Sequence, residues 1–373
     1  MPRLGGWYGN HAPVKLYGLN NENWDASIPT ASILNIPDQS KPHENAAITP
    51  IPTYKPQHSV LKTWAEFKTL LETAELQQIP ILSAQLAKNL RKRSEQTLYQ
   101  QINDLLANPD ISLETKAILL DLLAEIATPD SLAQLINLAK NNSQSSSLYI
   151  LILQAISRIG DNRWEGQFHE ELSPILEEAW MNVEIADPEF LGAVGKAIAT
   201  VGSSEGVEQL LKTVSGSTKG TEPEEITRIK QEVAFESIPK VRNPDAVDVL
   251  STWLNKEPLQ TPAFEVSGNA LAEIGSAQAT QKIVDWAKDA PAEGARNLQY
   301  WVSKIDNESA LATITATQTQ DIKSLEIADV LNTAATNIES SMAFSSTSAF
   351  GPTNTETSLL PLSDKFVNAR TTN

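Results

Sequence analysis

Apolar residues recur through the middle of the chain at spacings of three and four, broken at intervals by short polar stretches. Each break follows an apolar pair. Six such pairs align: Leu123/Ile126, Ile156/Ile159, Ile198/Val201, Ile238/Val241, Leu271/Ile274 and Val302/Ile305. Their starts lie 33, 42, 40, 33 and 31 residues apart, a period that points to stacked helical repeats.

Two places after each pair stand Thr128, Asp161, Ser203, Asn243, Ser276 and Asn307. All are residue types whose short side-chain oxygen accepts from a free N–H at a helix start. Pro129 and Pro244 follow two of them, where no N–H is required. Gly160, Gly202 and Gly275 precede three of them and suit a left-handed residue that closes the previous helix. Every copy therefore predicts a helix stop, a cap and a helix start within a few residues.

The helix after each break keeps one apolar face. Leu135, Phe168, Leu210, Leu250, Ile283 and Ile314 stand nine residues after the second member of each pair. Leu132, Val207, Val247 and Leu311 stand six after it, with Thr280 tolerable and Glu165 out of place. The second copy is therefore expected to have a longer turn, with its helix starting near Phe168. Such a stripe faces one way on a helix. One helix pair cannot bury it, whereas stacked neighbours make a continuous core.

Leu271-Ala-Glu-Ile-Gly275-Ser-Ala-Gln-Ala-Thr-Gln-Lys-Ile-Val284 and Ile198-Ala-Thr-Val-Gly202-Ser-Ser-Glu-Gly-Val-Glu-Gln-Leu-Leu211 resemble HEAT-like repeats of the armadillo type, including the short form in phycobilisome-lyase-like proteins. Pro239 stands where this family often has a kinking proline. The resemblance covers roughly residues 112–316. It implies an all-α fold: a right-handed α-solenoid of about six HEAT-like helix pairs, with capping helices and irregular N- and C-terminal arms. It says little of function, because such repeats serve as generic scaffolds.

The flanks read differently. Residues 1–59 hold many Pro, Gly and Asn with no helical period. They are expected to be an extended arm or linker, although Trp7, Tyr8, Tyr17 and Trp24 are unusually aromatic for a free one. Residues 60–111 read as N-terminal capping helices: one from Ser59 to Ala74, one from about Leu82 after Pro80, and one from about Glu95 to Ala107. Repeats fill 112–320, a capping helix 321–340, and a mobile Ser/Thr-rich tail 341–373. Between units, Asn141–Ser146, Met181–Asp187, Ser215–Thr221 and Asn255–Thr261 are longer joints. Thr221-Glu-Pro-Glu224 carries a capping pattern, and Thr261-Pro262 marks another start.

Charge narrows the partners. The net charge is -17. Residues 161–290 carry 23 acidic against 11 basic residues, a net of -12. Nucleic acid is a poor partner for such a surface, since phosphate binding depends on Lys and Arg. Solubility alone explains the acidity; a basic protein partner is the other reading. Lys88, Arg91, Lys92 and Arg93 form a basic cluster, read as a solvated helix face or a contact for an acidic patch. The absence of cysteine excludes disulfides and thiolate chemistry. No run is long enough for a spanning helix and no signal peptide follows Met1, so a soluble, cytoplasmic protein is the default, with export left open.

Candidate chemistry is thin. His11, His43, His58 and His169 have no metal-ligand spacing, and no phosphate loop or nucleophile motif is present. Glu177/Glu178 and Glu224/Glu225 are neighbours on helices rather than carboxylates facing across a cleft. No catalytic residue, metal or cofactor is expected. Trp253 and Trp286 both fall twelve residues after their anchors, at the edge of the core face, and Trp180 belongs to the same layer. They stand either in packing between repeats or, with Asp248 and Asp285, along a partner-binding groove. The expected function is a non-catalytic scaffold that binds a protein partner through a concave acidic face. Two alternatives stay open: an enzyme or enzyme subunit on stacked helices, of which a lyase-type role is what the resemblance allows, and a structural cell-envelope or assembly protein tethered by its arms.

Overall fold

Side-chain caps set most of the helix starts in the computed structural model, which describes residues 60–347 except 74–77, 93, 143–145, 183–186, 218–221 and 318–320, with backbone alone from 341. Ser112, Thr128, Ser146, Asp187, Ser203, Thr261 and Ser276 each accept from the backbone N–H three residues on. Asn243 and Asn307 accept from the N–H two residues on. A cap of this kind contributes about 1 kcal/mol. Five of the six aligned caps therefore act as the spacing predicts, and Thr128 forms a reciprocal box with Ser131. Asp161 caps nothing and pairs instead with Lys196 at 3.3 Å.

Sixteen α-helices result among the described residues. The first three are α1 (Val60–Thr73), α2 (Ile79–Lys92) and α3 (Gln96–Ala107). Pro80 does not break α2 but stands second in it, where its missing N–H costs nothing. Then follow α4 (Leu113–Ile126), α5 (Pro129–Asn141), α6 (Ser147–Arg158), α7 (Ser173–Met181), α8 (Pro188–Val201) and α9 (Ser204–Val214). The rest are α10 (Glu224–Ser237), α11 (Val247–Lys256), α12 (Pro262–Ile274), α13 (Ala277–Asp289), α14 (Ala295–Val302), α15 (Glu308–Thr315) and α16 (Leu325–Thr347). The last starts four residues later and runs seven further than the apolar pattern predicts. No strand occurs among the described residues; Trp164 and Gln167 make one isolated bridge. The arm at 1–59, Thr221 of the expected capping pattern and the tail beyond 347 lie outside the described residues. Every described helix lies within residues 57–373.

The helices pack in two rows. In one, α2, α4, α6, α8, α10, α12, α14 and α16 each touch the next. In the other, α5, α7, α9, α11, α13 and α15 do the same. Helices consecutive in the chain cross between rows, as α5–α6, α9–α10 and α11–α12 do. The predicted apolar pairs lie between them: Leu123, Ile126, Ile156, Ile159, Ile198, Val201, Ile238, Val241 and Leu271 are buried. So are Leu135, Leu210, Leu250, Ile283 and Ile314 of the second row. Thr280 is buried too, and its hydroxyl has no hydrogen-bond partner.

Glycine before the cap has two causes. Gly202 (φ 66°) and Gly275 (φ 58°) take the left-handed turn the spacing predicts, which a side chain strains. Gly160 does not; a Cβ there would come within 2.3 Å of the Thr200 hydroxyl oxygen. Closeness to α8, not backbone shape, requires that glycine.

The second break is the irregular one, as expected, but the following helix starts at Ser173 rather than near Phe168. The intervening chain folds back on itself: Glu165 and Gly166 have positive φ, and the Trp164–Gln167 bridge closes the loop. The fold-back serves the end of α4, which finishes without glycine on a left-handed Ala127. Asn162 Nδ2 donates to the Ala124 carbonyl at 3.1 Å and Trp164 Nε1 to the Glu125 carbonyl at 3.0 Å. Arg91 of α2 donates to the carbonyls of Ile126 at 2.8 Å and Ala127 at 2.6 Å. The last carbonyls of a helix have no partner within it; here three side chains from two other segments supply them. Arg91 is thus a capping residue with its guanidinium over the Trp164 ring, 5.5 Å from the centroid, and not part of a solvated face.

Candidate functional site

The segments that start α7, α9 and α11 are bonded to one another. Asn243 does the stitching: its Oδ1 accepts from the Asp245 N–H at 3.0 Å. Its Nδ2 donates to the Val201 carbonyl at 3.2 Å and to Glu170 Oε1 at 2.9 Å. The Ser204 hydroxyl donates to the Asp245 carbonyl at 2.7 Å, and the Ser173 hydroxyl donates to Ser203 at 2.6 Å. These bonds lock the 170–172 turn, the start of α9 and the 244–246 turn together.

One consequence is an accumulation of carboxylates. Glu170, Glu205 and Asp245 each sit in the first turn of their own helix, where the helix dipole favours negative charge. The neighbouring Asp245 carboxyl, above all other causes, holds the Glu170 carboxyl above the usual glutamate range. The charges of Asp245 and Glu205 push the same way. Glu177 of α7 is also raised, by burial and then by Glu205. None of these four carboxylates pairs with a cation among the described residues.

The residues singled out by the sequence fall elsewhere. Trp180, Trp253 and Trp286 are 1%, 5% and 8% exposed. The rings are therefore buried within the helix packing. Trp180 meets Lys230 at 5.8 Å, and Lys256 lies 4.8 Å over Trp253. Trp286 packs on Phe264 and Trp301 with centroids 5.6 and 5.2 Å away. Asp248 is exposed but paired with Lys282 at 3.0 Å, and Asp285 with Lys288 at 2.7 Å. Their charges are answered locally, unlike those of Glu170, Glu205 and Asp245.

A signal for the latter existed. The position two after the cap reads Asp130, Arg163, Glu205, Asp245, Gln278 and Ser309, which aligns Glu205 with Asp245. Glu170 could not be read the same way, because the fold-back of the second break moves it out of register. Two clefts lie away from this cluster. One, of about 540 Å³, runs between α13 and α15 past Gln281, Lys288, Thr313 and Asp321. The other, of about 590 Å³, follows α10 past Glu224, Glu225 and Arg228.

No family model matches the chain, and no curated protein matches it. Among solved structures it is similar to an engineered protein determined by crystallography, at 18% identity, covering 65% of this chain and 96% of that one. The TM-score of 0.25 is too low to inform fold or function.

Proposed function

We propose that residues 112–320 form a right-handed HEAT-like α-solenoid that acts as a non-catalytic scaffold and holds a basic segment of a protein partner against its acidic second-row helix starts. The two rows of helices and the recurrent caps support the solenoid. The observation that carries the binding role is the Glu170–Asp245 carboxyl pair, with Glu205 beside it and no cation paired with it among the described residues. Like charges held close raise each other's energy, and a Lys- or Arg-bearing segment relieves that cost. A field of one sign also speeds the approach of an oppositely charged partner.

The test uses the full chain and a short arginine-rich peptide as probe, followed by fluorescence anisotropy at low and physiological salt. The triple variant E170Q/E205Q/D245N is expected to weaken binding at least about tenfold, or roughly 1.4 kcal/mol. A control, E224Q/E225Q/E236Q, removes the same formal charge from exposed positions of α10 and is expected to change binding less than about threefold. Equal losses in the two variants mean that net charge alone attracts the peptide, and the reading fails.

A further inference from the structure

His169 is 2% exposed, and its Nδ1 lies 3.2 Å from the Arg91 guanidinium. Arginine only donates, so Nδ1 in this arrangement must be the bare, accepting nitrogen. The ring is therefore neutral, with its one proton on Nε2. That atom is buried without a hydrogen-bond partner among the described residues, and the Asn162 backbone pulls weakly toward the charged ring. A second proton has only Nδ1 to go to. There it would point an N–H at the N–H groups of Arg91 and set two positive charges side by side out of water.

We propose that His169 is a pH-sensitive latch: a second proton on its ring expels it from Arg91 and frees the 161–171 segment from the end of α4. The charged groups facing the ring are Arg91 from α2 and Glu171 from its own turn. Glu171 Oε1 is 3.6 Å from Nδ1 and 3.4 Å from Arg91, but its side chain is 46% exposed. Its pull toward the charged ring is weakened by water, whereas Arg91 is far less exposed. Glu125 of α4, the nearest acid on the helix being capped, is taken up by the Ser83 hydroxyl at 2.8 Å. Burial first and then Arg91 hold the ring below the ordinary imidazole value of 6.5. The unfolded chain thus takes up the proton before the folded one does. The stabilisation is complete above that value and is lost as pH falls from it toward the depressed folded value. Arg91 ties the event to structure, because the guanidinium that meets the ring also caps Ile126 and Ala127. Since the latch lies within one chain, its opening needs no partner.

Hydrogen exchange of the full chain, compared at about pH 7.5 and about pH 5 after correction for intrinsic exchange, reads the latch directly. Protection across 161–172 and at residues 124–128 is expected to be lost at the lower pH, while α11 to α13 keep theirs. His169→Asn keeps an accepting oxygen near the place of Nδ1 without a titrating group, and its protection is expected to be equal at both pH values. Loss of protection in H169N by the same factor as in the wild type overturns the proposal, as does unchanged protection in the wild type. Should H169N misfold, an NMR titration of the wild-type ring decides: it must gain its proton together with the amide opening. A ring that protonates while the 161–172 amides stay protected also overturns the latch.

Discussion

Trp301 of α14 lies directly against the α-carbon of Gly268 in α12: a methyl group built on that glycine would come within 2.0 Å of the indole Cζ2. Its neighbour Asn269 accepts from the Trp301 Nε1 at 2.9 Å, which fixes the ring against the helix. Glycine costs an ordinary helix about 0.5–1 kcal/mol relative to alanine, so the close contact explains its presence.

Gly268→Ala should therefore destabilise by about 1–3 kcal/mol through overpacking, read as a fall in urea midpoint. Gly192→Ala in α8 is the matched control, since a Cβ there meets nothing within 4 Å. It should be neutral or stabilising by up to about 1 kcal/mol. Similar effects from both substitutions would remove the packing explanation.

Trp286 packs with Phe264 and Trp301, and Gly294 leaves room for the edge of its ring, which lies 2.8 Å from where a Cβ would be. Trp286→Ala should cost about 3–5 kcal/mol in chemical denaturation. Because the ring is internal, any change in peptide capture by this variant should track the unfolded fraction. Capture lost by a variant of unchanged stability would restore a direct binding role.

The Lys230 ammonium is buried against Glu222 at 2.5 Å, with both side chains mostly out of water. Single and double substitutions at this pair should behave oppositely. Glu222→Gln and Lys230→Met each leave a buried charge unanswered and should cost about 3–5 kcal/mol, whereas the double variant E222Q/K230M should be neutral or even stabilising by about 1–4 kcal/mol. Thermal unfolding of the three proteins separates these outcomes. A double variant as unstable as the single ones would show that the pair contributes more attraction than it costs to bury.

The closeness of Asp245 to Glu170 has a pH signature. Glu170 binds its proton more tightly in the folded chain than its ordinary value of 4.5. The associated stability is fully present below that value and is lost as pH rises through the folded one. Asp245→Asn removes the neighbouring charge while keeping the shape. Its urea midpoint relative to wild type should thus be more favourable at about pH 7 than at about pH 4. A difference that does not vary with pH would show that Asp245 does not act on Glu170.

The helical class and the caps at Thr128, Ser203, Asn243, Ser276 and Asn307 could be read from the sequence because they are local: a side chain bonds a backbone group two or three residues away. Gly202 and Gly275 were readable for the same reason. Arg91 was not, since its partners at Ile126, Ala127 and His169 come from segments brought close only by packing. Asp161 has the right residue type for a cap, yet an ion pair to α8 and a folded-back turn take its place. The candidate site divides along the same line. Glu205 and Asp245 stand in an alignable column, but Glu170 joins them only through Asn243, 73 residues away. Helical spacing placed the tryptophans at the rim of the apolar face; it could not register how deeply the next helix covers that rim.

The borrowed cap at the end of α4 bears on how this chain can be shortened or extended. Cutting or duplicating a helix pair is expected to cost least where a helix closes its own end, as at Gly275. Between residues 127 and 161 it costs more, because α4 depends on donors from before it and after it. Any shuffling of units has to carry residues 79–172 as one indivisible block.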